Sequence, residues 1–579
     1  MVLKYHTMKI FAAALLCLLP AICPAKDVEI KLLQTSDIHG NLFPENFITM
    51  TPAQGGMSRI STIVKNYREK YGDNVILLDN GDILQGQPSV YYYNYVDTLS
   101  PHITAQVMNY MGYDAGNVGN HDVETGRHTL DRWAKDCNMP ILGANILDKN
   151  TGEPHFTPYK VFERDGVKIA VLGMITPAIP VWLSEDIWEG LTFVDMEESA
   201  RQWIPIIKSK ENPDIIIGLF HAGKSGTVLS GFKENPSMEI ARNVPGFDMI
   251  LFGHDHLVEN RKIENIAGDS VLLMNPANTG QVLTDITLKV CLDDNGKVIG
   301  KSIDGSLADV NKYQPDKEFM SLFAPQIDTI RQYVSEPVGF FTDSITSDDV
   351  LFGPSKLIDL IHEFQLESTG ADISFAAPIS TNASIKAGTI HMSDLFSLYK
   401  YENALYVLQL TGKEIKDYLE FSYALWTDRI EKEGDHLLLF KEQQAAGEDM
   451  RAKLKNPPYN FDSAAGIKYV VDVTKPAGEK ITITSMADGT PFDMDKTYKV
   501  ALSSYRGNGG GEHLTKGVGL DSKGIADRII YRSKTDLRSI IADRIRKKGR
   551  ITPRTLDTWK FIPEDVARKA AEKDARLLR

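Results

Sequence analysis

Cysteine is scarce in this 579-residue chain: there are four, Cys17, Cys23, Cys137 and Cys291, and none stands in a Cys-x-x-Cys pair. That excludes a disulfide-stapled scaffold and a cysteine-built metal knuckle. Cys137 and Cys291 are expected as buried free thiols. Basic charge is also short. Against 77 Asp and Glu there are 64 Lys and Arg, a formal net charge of −13. Such a balance argues against coating a nucleic-acid polymer, although a metal site can still hold a single nucleotide. No segment approaches the ~20 consecutive apolar residues that a spanning helix needs, so no transmembrane anchor is expected. Low-complexity tracts and repeats of fixed period are absent too.

What is present begins with a targeting pattern. Lys4 and Lys9 precede the short apolar run IFAAALLCLLPAI, and cleavage after Ala25 would leave KDVEIKLLQT as the mature start. This is the layout of a secretory signal peptide over residues 1–25, so a periplasmic or otherwise exported protein is expected. A lipoprotein route through Cys23 fits poorly behind Pro20-Ala21-Ile22.

The remaining length exceeds one hydrophobic core and predicts at least two domains. VEIKLLQT, VILLDN, KIAVLGMI, DIIIGLF and DMILFG are short, rich in β-branched residues and bounded by turn formers, as buried strands are. They alternate with helical stretches, which argues a layered α/β domain over 26–310. The polar LADVNKYQPDKEF and the helical SLFAPQIDTIRQYV place a linker at 311–335. A second domain is expected over 336–560, with KLIDLIHEFQLEST as helix and ALYVLQLTG, IKYVVDVT and YKVALSS as strands. Residues 561–579 read as a charged helix or a frayed tail.

Chemistry collects where the first domain's strands end. VEIKLLQT runs into Asp37 and His39, VILLDN into Asp82, DIIIGLF into His221, and DMILFG into His254, Asp255 and His256. A further segment, GNVGNHDVETG, carries Asn120, His121 and Asp122 and is expected as a loop, its glycines 116, 119 and 126 taking positive φ. Each residue alone has an ordinary reading: His221 as a core histidine, Asp37 as a helix cap, Asp255 as a solvated acid. Together they put ligand-type side chains on the carboxyl edge of an α/β sheet, where ligands bind. Setting His121 aside, two carboxylates, one amide and four imidazoles are too many for one tetrahedral ion and about right for two sharing a bridging carboxylate, for which Asp82 is the natural candidate. Imidazole with carboxylate suits two divalent transition metal ions, Mn, Zn, Fe or Co, better than Ca or Mg. A pair of ions ~3.5–4 Å apart is the clamp for in-line displacement at phosphorus.

The order Asp-x-His, Gly-Asp, Gly-Asn-His, His-Ala-Gly, Gly-His-x-His resembles the calcineurin-like metallophosphoesterases. NGDILQGQP, GGMSRIST and NYMGYDAGNVGNHD extend the likeness to the bacterial 5′-nucleotidase family, nearest its 2′,3′-cyclic-nucleotide 2′-phosphodiesterase/3′-nucleotidase branch. The resemblance implies a four-layer α/β sandwich joined by a linker helix to a C-terminal α/β nucleotidase substrate domain, and a monomer acting on nucleotides. It implies that Asp37, His39, Asp82 and His256 hold one metal and Asp82, Asn120, His221 and His254 the other. His121 would be the catalyst, oriented by Glu124 where the family usually has Asp or Asn. Asp122 would support the turn. Tyr459 in PPYNFD and Tyr505 in SSYRGNGGG would sandwich the base, with Arg506, Gly507, Asn508, Gly509, Gly510 and Gly511 around it.

One departure bears on the substrate. The 5′-nucleotidase branch clamps phosphate with arginines in the second domain, whereas SFAAPISTNASIKAG offers none. With Gly-His-x-His, where the 5′ branch often ends in Gln, this favours the cyclic/3′ branch. A 5′-nucleotidase, a nucleotide-sugar hydrolase and a nucleoside-binding protein with structural metals are the alternatives.

Overall fold

Of the computed structural model, residues 26–226, 228–229, 231–441 and 453–578 are described. The predicted signal peptide lies outside them. The apolar runs pair as two six-stranded sheets. In the first, Lys26–Thr35 lies parallel to Val75–Asp79 and antiparallel to Val282–Leu292, and Ala115–Asn117 continues the parallel set. In the second, Ile215–His221 lies parallel to both Val167–Ile175 and Met249–Phe252. Alternation along each strand sends side chains to opposite faces. Ile30 and Leu32 meet Val171, Ile217 and Leu251 between the sheets, whereas Leu33 turns outward to Ile60 and Val64 of the helix Met57–Tyr71. On the far side, the helices Met196–Glu211 and Ser237–Asn243 cover Leu172, Ile216 and Ile250. Helix, sheet, sheet and helix make the four layers.

The helices Lys317–Leu322 and Ala324–Val334 lead to the second domain. Its sheet orders Ser463–Ala465, Ile373–Ala376, Thr497–Ser503, Ala404–Thr411 and Ile529–Asp536. The helix Lys356–Thr369 starts where the Ser355 hydroxyl accepts from Ile358 N, and Gly412–Trp426 starts with a reciprocal Thr411–Glu414 cap. The two domains touch: Tyr91 Oη donates to Asp536 Oδ2 at 2.9 Å and Asn508 Nδ2 to the Trp182 carbonyl at 3.2 Å. No helix among the described residues is long and apolar enough to cross a membrane.

Three expectations change. GNVGNHDVETG is not a plain loop, because Asn120–Glu124 forms one helical turn. Only Gly126 has positive φ; Gly119 sits at −105° and is required because a Cβ there would lie 2.2 Å from Asp82 Oδ1. Cys137 and Cys291 are free but half-buried rather than buried. Asp255 is not merely solvated: it accepts from Lys224 N at 2.8 Å and from Asn275 Nδ2 at 2.8 Å. At the C-terminus the helix Glu564–Leu578 is docked, since buried Asp574 accepts from Leu437 N at 2.7 Å and Leu438 N at 2.9 Å.

Candidate metal centre and adjoining cleft

Strand ends deliver the ligand-type residues through strained turns. Asp37, His39, Asp82, His254 and His256 all have positive φ, between 49° and 73°. Non-glycine residues seldom adopt this region, and such strain concentrates at functional sites. It is held by tight backbone contacts: Asp37 N donates to Gly81 O at 3.0 Å and His39 N to Asp82 O at 2.9 Å. Asp122, fully buried, accepts from the backbone N–H of Gly119, Asp82, Ile83 and Leu84 at 2.8–2.9 Å. It therefore locks the Asp82 turn to the start of the helical turn that carries Asn120 and His121.

Two ligand groups result. Asp37, His39 and His256 form one, and Asp82, His221 and His254 the other, with the donor atoms of each within 4.8 Å of one another. Asn120 Oδ1 joins the second, 3.1 Å from His221 Nε2 and 2.8 Å from His254 Nδ1. Seven donors of mixed carboxylate, imidazole and amide character fit two divalent transition ions. Burial pushes His39 down to about 3 against the pull of Asp82, whereas at His221 burial is overcome by Asp82, which lifts it to about 10, a proton that a bound cation would have to displace. Burial would raise Asp82, but the His221 and His121 charges overcome it and hold the carboxyl well below the usual range.

His121 stands beside both groups. Its ring is 5.5 Å from that of His39, its Nδ1 is 2.5 Å from Glu124 Oε2, and its backbone N donates to Asp82 Oδ1 at 2.8 Å. Burial opposes its proton, yet Asp82 and Glu124 win and lift its pKa to about 9.

A cavity of about 500 Å³ opens from this centre and runs between the domains. Asn120, His121, Glu124 and His254 of the first domain line it together with Tyr459 and Tyr505 of the second. The two tyrosine rings are 6.4 Å apart and nearly perpendicular at 88°, not parallel. Arg506 borders the cavity but spends every donor on protein. Nε and Nη2 take Asp462 at 2.9 and 3.0 Å, Nη1 takes Asn460 Oδ1 and the Gly510 carbonyl, and Nη2 also takes the Tyr459 carbonyl. It braces the loop and offers a substrate no free N–H. Gly509 and Gly511 also border the cavity. Gly507 instead packs on Tyr406, where a Cβ would come within 2.4 Å, and Gly510 packs on Tyr505 at 2.6 Å.

Sequence reasoning missed the supports. Asn80 and Asn117, both fully buried, tie the two sheets beneath the ligands: Asn117 Nδ2 donates to the Met174 and Leu219 carbonyls, and Asn80 Nδ2 to that of Phe220. The readable signal was an Asn closing an apolar run one or two residues before a ligand turn. Trp182, whose ring lies 5.7 Å from that of His254, and Glu234, whose Oε1 is 3.0 Å from His254 Nε2, had no such signal.

Residues 30–258 match the calcineurin-like phosphoesterase family and residues 337–516 the 5′-nucleotidase C-terminal domain. A 2′,3′-cyclic-nucleotide 2′-phosphodiesterase/3′-nucleotidase of Haemophilus influenzae is 28% identical, over 93% of this chain and 88% of its own. A trifunctional nucleotide phosphoesterase of Bacillus subtilis is also 28% identical over 93% of this chain, which spans only 39% of that longer relative. Among solved structures, a 5′-nucleotidase precursor from Thermus thermophilus superposes with a TM-score of 0.63 at 21% identity, over 93% of this chain and 100% of its own.

Proposed function

Since the chain belongs to the calcineurin-like phosphoesterases that carry a 5′-nucleotidase C-terminal domain, and is thus a metal-dependent hydrolase of phosphoester bonds, we propose that it is an exported enzyme that opens 2′,3′-cyclic nucleotides to 3′-nucleotides and then releases phosphate and nucleoside. The observation that carries this reading is one cavity lined both by Asn120 and His254 of the second ligand group, with His121 beside them, and by Tyr459 and Tyr505 of the second domain. In it the first domain, 26–310, holds the phosphate and the second, 336–560, holds the base, with 311–335 as linker and 561–579 as tail.

Asp37, His39, Asp82 and His256 would hold one ion and Asp82, Asn120, His221 and His254 the other, Asp82 bridging. When bound, two divalent ions supply Lewis-acid stabilisation of the phosphoryl oxygens and draw a nucleophile from water. His121, with Nδ1 engaged by Glu124, has Nε2 left to pass a proton to the leaving oxygen. Attack of water on a 2′,3′-cyclic ester breaks P–O2′ and the proton goes to O2′; in the second step P–O3′ breaks and O3′ is protonated. Tyr459 and Tyr505 would take the base by stacking, which tolerates any base.

The absence of a free arginine favours this branch over the 5′-nucleotidase and nucleotide-sugar alternatives. Among the described residues bordering the cavity Arg506 is the one arginine, and its donors are committed. A second phosphate would find no bidentate partner there. Assaying 2′,3′-cyclic AMP, 3′-AMP, 5′-AMP and UDP-glucose side by side with Mn²⁺ tests the assignment. Turnover of the first two above the others is expected; a preference for 5′-AMP or UDP-glucose overturns it. Export is tested by fractionating cells that express the full chain.

A further inference from the structure

We propose that Glu234 orients His254 and sets the affinity of the metal position formed by Asp82, Asn120, His221 and His254. The inference rests on the two-metal reading above and goes beyond it by assigning a tuning residue to one position. An imidazole ligand has two nitrogens, and the group that meets the second one fixes its tautomer, its ring orientation and its strength as a donor. Three of the four histidines here meet neutral groups. His221 Nδ1 is 2.7 Å from the Asn80 carbonyl, His39 Nδ1 is 3.3 Å from that of Gln85, and His256 Nδ1 is 3.0 Å from the Asn278 amide. His254 differs. Its Nδ1 faces Asn120 Oδ1 inside the centre at 2.8 Å, and its Nε2 meets a carboxylate, Glu234 Oε1, at 3.0 Å.

Glu234 is held in place by its neighbour. Asn235 Oδ1 accepts from Gly223 N at 2.7 Å, in the turn that directly follows His221. Gly223 cannot carry a side chain, because a Cβ would lie 2.5 Å from that same oxygen. The segment bearing Glu234 is thereby anchored to the strand end that supplies another ligand of the same position. Trp182 lies against the His254 ring at a centroid distance of 5.7 Å and limits its rotation. A carboxylate behind an imidazole makes it more basic and a stronger donor than a carbonyl does. The two metal positions therefore differ, and the one backed by Glu234 is the tighter.

Glu234 also borders the cavity, so a substrate contact is the competing role, and metal binding separates the two without any turnover measurement. Metal-free wild type, Glu234→Gln, Glu234→Asp and Glu234→Ala are titrated with Mn²⁺ by calorimetry, with melting curves run alongside. Wild type is expected to show two sites. Glu234→Gln and Glu234→Ala should weaken one of them about 10–100-fold and leave the other unchanged, with Glu234→Asp intermediate. Glu234→Gln preserves shape, so it reports even if Glu234→Ala melts early. Two wild-type affinities retained in both Glu234→Gln and Glu234→Ala overturn the proposal; wild type failing to bind two ions overturns the two-metal reading instead.

Discussion

Asn120 and His121 are adjacent in the chain and serve different ends on the proposed reading. Asn120 Oδ1 points among the ligands of the second group, while His121 is tied to Glu124. His121→Ala should therefore keep both ions, by elemental analysis, while kcat on a nucleoside ester falls about 10²–10⁴-fold for a lost general acid. The fall should be smaller for p-nitrophenyl esters, whose leaving group needs no proton; an equal fall would make His121 an electrostatic stabiliser only. Arg506 shows where the residue scale is illegible in sequence. Its place beside Tyr505 suggested a substrate contact, but its partner Asp462 lies 44 positions away, and linear order does not reveal which donors are already used. Burial would raise Asp462, yet the Arg506 charge holds its carboxyl below the usual range. A depressed folded pKa contributes stability above the unfolded carboxylate value of ~3.9 and loses it as pH falls through the folded value. Arg506→Met leaves Asp462 buried without its cation, a loss of about 3–5 kcal/mol near neutral pH. Melting curves at pH 7 and pH 4 should show that deficit shrinking at the lower pH, where Asp462 can take up a proton.

At the scale of elements, long apolar strands were readable and short irregular pieces were not. KIAVLGMI and DIIIGLF have no alternative to a doubly covered strand, and they occupy Val167–Ile175 and Ile215–His221. Asn120–Glu124, five residues long, cannot display a 3.6-residue period, so its composition read as a turn. The two-residue strands Val228–Leu229 and Phe232–Lys233, which precede Glu234, show no alternation either. Of the glycines expected to take positive φ, Gly126 does so, while the reason for Gly119 was not legible. Gly119 serves close approach to Asp82, and Gly126 serves a positive φ of 88° with nothing within 4 Å of a Cβ. Substitution separates these reasons. Gly119→Ala should displace the Asp82 carboxylate and cost most of the bound metal, with an overpacking penalty of about 1–3 kcal/mol. Gly126→Ala should cost only the strain of a positive-φ extended backbone (φ 88°, ψ 154°) that is open almost only to glycine, about 1–3 kcal/mol, and retain both ions. Metal content and melting temperature of the two variants check this, and equal metal loss in both would mean that the glycines act only through backbone conformation.

For the whole molecule, the sequence indicated two domains and the residues on each, but not how closely they meet. Tyr91 and Asp536 are 445 positions apart and hydrogen-bonded, a contact no local pattern encodes. The cleft that this closure creates carries the substrate argument. To sandwich a base, two rings must be parallel and about 7 Å apart, twice a ~3.5 Å contact; here they are perpendicular at 6.4 Å. Tyr505 is wedged by Gly510, with the Arg506 guanidinium 5.3 Å from its ring centroid, whereas Tyr459 is 36% exposed. On the proposed reading, Tyr505 would be the fixed platform and Tyr459 the ring that turns to close on a base. Stacking remote from the reacting phosphorus can be used to position it, so its loss should reach beyond ground-state binding. Tyr505→Ala should lower kcat/KM for 2′,3′-cyclic AMP by about 10–10²-fold, from ~1–3 kcal/mol per stack. Bis-p-nitrophenyl phosphate, which has no purine to hold, should be hydrolysed as before. A tyrosine that only packs the loop makes a different forecast, with both substrates falling together and a lower melting temperature. Measuring the two rates beside a melting curve decides whether Tyr505 holds the base or only the loop that Arg506 braces.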